Sequence, residues 1–111
     1  MEIRMLFDKE QLLEDIGGDD ELVNKVLDCA ALEIPKEVEK LGVFCAGSDT
    51  EAIRIQAHGI KSIAADLYAE DLRESCAKVE AAGKAGNLHN ARALLTELEQ
   101  VARVTVEALR G

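Results

Sequence analysis

Residues 47–67 read GSDTEAIRIQAHGIKSIAADL. At about 100° per residue, Ile53, Ala57, Ile60, Ala64 and Leu67 fall within about 80° of one another. That is the narrow apolar stripe of an amphipathic helix packed on a core. Ser48 and Glu51 have the spacing of a capping box at its start. His58 lies about 140° from the centre of the stripe by the same count, so it is expected on the outer side. Arg54 and Lys61 stand one turn before and one turn after it. Ile55, Ser62, Ala65 and Ala69 complete that outer surface.

The same periodicity runs through the rest of the chain. FDKEQLLEDIGG predicts a short helix capped by Asp8. In this reading Gln11 reaches back as in a capping box, Phe7 and Leu12 form a staple, and Gly17 ends the helix. From GGDDELVNKVLDCAALEIPKEVEKLGVFCAG a second helix is expected, capped by Asp19 or Asp20. Its expected stripe is Leu22, Val26, Cys29 and Ala30, then Leu32 or Glu33. It continues through Val38, Leu41 and Cys45 beyond a kink or break at Pro35. AEDLRESCAKVEAAGKAG gives a helix with a seam of Leu72, Cys76 and Val79, ended by Gly86. NLHNARALLTELEQVARVTVEALRG gives the last helix, capped by Asn87. Tyr68 is expected to pack at the hairpin between the third and fourth helices. His89 is expected at the surface.

These stretches predict an all-α fold. It is an antiparallel four-helix bundle with a short additional N-terminal helix, forming a single domain over residues 1–111. Composition agrees: 48% of the 111 residues are hydrophobic, 32% are charged and 3% are aromatic. A formal net charge of −9 disfavours nucleic acid, because an acidic surface repels phosphate backbones. No apolar run approaches the ~20 residues that span a bilayer, and no secretory signal stands at the start. The expectation is a cytoplasmic protein that engages no membrane. Cys29, Cys45 and Cys76 are odd in number and form no CxxC, so they are expected to be reduced thiols, with Cys29 and Cys76 buried in apolar helix.

His58 carries the sharpest functional possibility. Histidine has an ordinary pKa near 6.5 and is largely neutral, and so nucleophilic, at pH 7. A phosphoryl group on its outer nitrogen would lie within reach of Lys61, and Arg54 offers a second cation. The wheel fits an ordinary polar surface residue equally well. Metal ligation is disfavoured, since Lys61 and Ser62 hold the i+3 and i+4 positions where a second ligand is needed. No phosphate loop, Walker lysine or kinase signature is present, so no ATP site is expected.

AHGIKSIAADLYA resembles the histidine-containing phosphotransfer (HPt) family, with Ala57, His58, Ile60, Lys61, Ala64, Leu67 and Ala69 matching in place. LLEDIGGDDELV and the segment around Pro35 resemble the family's N-terminal helices. Leu72, Cys76, the Val79-Glu80 pair, Gly86 and LLTELE resemble its later ones. Two positions depart from the pattern: Ser62 and Tyr68 stand where the family usually has glycine. The resemblance implies a phosphoryl carrier rather than an autonomous kinase. His58 would be the phospho-acceptor and Lys61 the cation that steadies the phosphate. Arg54, Ile55, Ser62, Ala65 and Ala69 would face the partner. The implied partners are response-regulator receiver domains and a hybrid histidine kinase. Mg²⁺ would reside on the receiver and no cofactor on this chain, which is expected to be a monomer. The alternative is a non-catalytic module that docks and inhibits a receiver domain or kinase. Met1 and the capped first helix suggest a free-standing protein.

Overall fold

The structure, a computed structural model, describes residues 6–111. Five helices follow one another: α1 (Lys9–Asp15), α2 (Asp20–Ala46), α3 (Thr50–Asp66), α4 (Glu70–Lys84) and α5 (Leu88–Leu109). Each of the four long helices packs on two others, α2 and α4 both touching α3 and α5, while α1 leans on α2. Connections of three or four residues set neighbours antiparallel. Among the described residues no strand forms.

The helix ends follow local chemistry. Asp8, Asp19, Asp49 and Asn87 each accept a hydrogen bond from the backbone N–H three residues on, which satisfies one orphan donor per helix. Neither capping box closes. The Gln11 side chain turns forward and donates to Asp15 at 3.0 Å. At α3 the cap is Asp49 rather than Ser48, and Glu51 is drawn to Arg54 instead. A carboxylate one residue closer to the positive helix end outcompetes a hydroxyl. Helices α1 and α4 end in Schellman turns, with Gly17 and Gly86 in the left-handed conformation.

Helix α2 departs most from expectation. It runs unbroken through Pro35, and its buried stripe is Val23, Leu27, Ala30, Ala31, Ile34, Leu41 and Cys45. Ala30, Leu41 and Cys45 are buried as expected, but the first turns are one residue out of phase with Leu22, Val26 and Cys29, a rotation of about 100°. Leu22 and Cys29 are exposed, and Leu32 is 62% exposed. Ile34 is fully buried immediately before the proline, while the Pro35 ring faces outward. Burying an isoleucine or leucine contributes about 1.5–3 kcal/mol. Ile34 and Leu41 on either side of Pro35 therefore offset its cost of about 3 kcal/mol.

The rest of the core follows the periodicity. Ile53, Ala57, Ile60, Ala64 and Leu67 meet Leu72, Cys76, Val79, Leu98, Thr105 and Leu109 inside the bundle. The end of α2 is held by Arg92 of α5, which donates to the carbonyls of Cys45 at 2.6 Å and Gly47 at 2.8 Å. These are carbonyls that a helix C-terminus leaves without partners.

Candidate functional site

Helices α3 and α4 approach more closely than side chains normally permit. A Cβ on Gly83 would stand 2.9 Å from both the Arg54 nitrogen and the Thr50 oxygen. The absent side chain lets the two backbones touch. Moving along α3 from Arg54 to His58 and Lys61 matches moving back along α4 from Gly83 to Glu80. That register places Glu80 between His58 and Lys61.

The geometry is specific. Glu80 Oε2 lies 2.9 Å from His58 Nδ1, and Oε1 lies 2.6 Å from Lys61 Nζ. The side chain of His58 is 57% exposed, whereas that of Glu80 is 19% exposed. Burial works to raise the Glu80 carboxyl, but hydrogen bonds from Lys61 and His58 outweigh it and hold the group below its usual range. Glu80 is therefore a carboxylate at neutral pH. Below it, burial and the Glu80 charge push the Cys76 thiol up to about 12. Cys76 remains a neutral core residue.

Other predicted residues divide into three groups. Ile55, Ser62 and Ala65 lie exposed beside His58, and the Ser62 hydroxyl donates to the His58 carbonyl at 3.1 Å. Arg54 is engaged by its own helix. Its guanidinium is held by Glu51, with Nε 3.0 Å from Oε2, and this ion pair raises the arginine's own pKa. Ala69, expected on the outer surface, is 0% exposed. It ends the third Schellman turn, donating to the Ala64 carbonyl at 2.8 Å, and so leaves the accessible face.

In that turn Tyr68 takes φ +58°, the left-handed conformation usually given to glycine. It is partly exposed rather than packed in the hairpin, and its hydroxyl donates to Asp15 of α1 at 2.6 Å.

A family model of the Hpt domain matches residues 10–108. The chain belongs to the Hpt domain family. The fold of this Hpt chain is similar to the crystal structure of histidine-containing phosphotransfer protein B from Pseudomonas aeruginosa PAO1, with a TM-score of 0.87. That likeness covers 97% of this chain and 94% of the other at 20% identity. No significant match is found among curated protein sequences.

In the sequence Glu80 stands out only as part of a family-like pair, and Gly59 does not stand out at all. Glu80 stands at the edge of the α4 seam, directly after Val79 and one turn after Cys76, but only the register of α4 against α3 sets it beside His58. Gly59 lies on the outer face of α3, with open space where a Cβ would stand. Among the described residues no helix is long and apolar enough to cross a membrane. No cluster of three metal-ligating side chains forms among them either.

Proposed function

We propose that this Hpt domain is a phosphorelay carrier that takes a phosphoryl group on His58 from one receiver-domain aspartate and gives it to another. The observation that carries this reading is the Glu80–His58 contact. A carboxylate only accepts hydrogen bonds, so Nδ1 holds the proton and Nε2 holds the lone pair. An exposed imidazole with a free Nε2 is a nucleophile prepared for attack. Its lone pair forms the N–P bond while the P–O bond of the receiver's acyl phosphate breaks, and the aspartate carboxylate leaves.

Lys61 is the cation that steadies the incoming phosphoryl group. The carboxylate beside His58 is already engaged by Lys61 and His58. The Mg²⁺ of the reaction is therefore assigned to the receiver, where it supplies charge neutralisation for phosphoryl transfer. Ile55, Gly59, Ser62 and Ala65 form the docking face, and the small size of Gly59, Ser62 and Ala65 leaves the imidazole open. Upstream, the phosphoryl group comes from the receiver domain of a hybrid histidine kinase. The carrier works as a cytoplasmic monomer.

The test is label transfer from a phosphorylated receiver. Wild-type protein should take up acid-labile phosphate and His58→Gln should take up none. Lys61→Ala should transfer more slowly with unchanged helical content. Binding of the receiver with no phosphate uptake by wild type would instead identify a docking module.

A further inference from the structure

Attack by Nε2 leaves the ring with a proton still on Nδ1, so the first product is a phosphoimidazolium. Two fates follow. If the proton stays, the phosphoryl group later departs from a neutral imidazole, which is a good leaving group. If the proton is lost, departure must expel an imidazolate, which is a poor one. The group facing Nδ1 therefore decides how long the phosphoprotein survives and how readily it donates.

We infer that Glu80 keeps phosphorylated His58 protonated at Nδ1, so that this domain is a fast, short-lived phosphoryl donor rather than a stable store. This rests on His58 being the phosphoryl carrier. The carboxylate lies 2.9 Å from Nδ1, where a negative charge favours the protonated ring. The forward step is balanced: an aspartate oxygen bonds to phosphorus, the P–N bond breaks, its electron pair returns to Nε2, and Nδ1 keeps its proton.

On α3, Lys61 sits on the far oxygen of Glu80 and Arg54 is occupied by Glu51. On α4, Cys76 is a neutral thiol. Glu37 of α2 is engaged by Gln56. Glu97 of α5 lines a separate cleft with Asp71, Glu74 and Lys78. Glu80 is thus the carboxylate in hydrogen-bond contact with the ring.

Wild-type protein and Glu80→Gln would be phosphorylated with phosphoramidate, a small donor that needs no partner. Hydrolysis of phosphohistidine would be followed from pH 5 to 9, with the Nδ1 titration read by ¹⁵N NMR. Glutamine retains an acceptor for Nδ1 without the charge, so packing is preserved. The Nδ1 inflection should move to lower pH in Glu80→Gln, and the lifetime at pH 8 should lengthen about tenfold, the effect of one unit of pKa. Lys61→Met keeps the carboxylate and removes a cation, so its inflection should rise or hold.

Coincident profiles for wild type and Glu80→Gln would overturn the role of Glu80 while leaving the carrier reading intact. A fall for Lys61→Met equal to that for Glu80→Gln would do the same. Absence of phosphate on His58 from phosphoramidate and from a receiver alike would overturn both.

Discussion

The two sides of α3 use glycine for opposite ends. Toward α4, Gly83 removes a side chain where backbone atoms stand 2.9 Å from the missing Cβ. Toward solvent, Gly59 removes one where nothing lies within 4 Å. Both glycines lie within helices, where each costs about 1 kcal/mol relative to alanine. The inner glycine recovers that cost by letting α3 and α4 touch and by setting Glu80 against His58. The outer glycine recovers nothing in the fold, so its explanation lies in access to the imidazole.

Substitutions at these positions separate the two roles. Gly83→Val should be the most damaging, with a loss on the order of 3 kcal/mol from overpacking. It should also displace Glu80 and so slow phosphotransfer beyond the stability loss. Urea unfolding and label transfer measured on the same sample check both effects. Gly83→Ala should still destabilise, because a contact under 3 Å with backbone outweighs the gain in helix propensity. Gly59→Ala should have the opposite sign, stabilising by about 0.5–1 kcal/mol. Transfer from a receiver should slow in that variant while phosphoramidate labels His58 at an unchanged rate. An equal slowing with both donors would remove Gly59 from the docking face.

A third contact, at the end of α3, is expected to matter least. The hydrogen bond from Tyr68, joined by a weaker one from Gln11, holds the Asp15 carboxyl below its usual range. A depressed carboxyl stabilises the fold above its unfolded pKa, about 4. That contribution is lost as pH falls through the lower folded value. Tyr68→Phe should therefore lower the thermal midpoint slightly at pH 7, and the difference should shrink as pH falls below about 4. A difference that grows in acid would contradict the Asp15 contact.

The stripe of α3 was legible because it holds one apolar phase only. Helix α2 was harder, since Leu22, Val26 and Cys29 compete with Val23, Leu27, Ala31 and Ile34 across a wide apolar arc. Only the partners of Ile34 and Leu41 in the bundle choose between them, and the same burial carries the helix through Pro35. At the site, His58 and Lys61 were readable from spacing on one helix. Glu80 was not, because its place depends on the register of α3 against α4. Ala69 was misplaced because a left-handed Tyr68 folds it into the core, and the pairing of Arg54 with Glu51 was not visible from the helix wheel.

The contact between Glu80 and Nδ1 makes one demand that a single measurement can examine. Phosphorylated protein labelled with ¹⁵N in histidine shows by NMR which ring nitrogen is bonded to phosphorus. Phosphate on Nε2 of His58, with Nδ1 protonated toward Glu80, is the predicted result. Phosphate on Nδ1, or on His89 in place of His58, would contradict it.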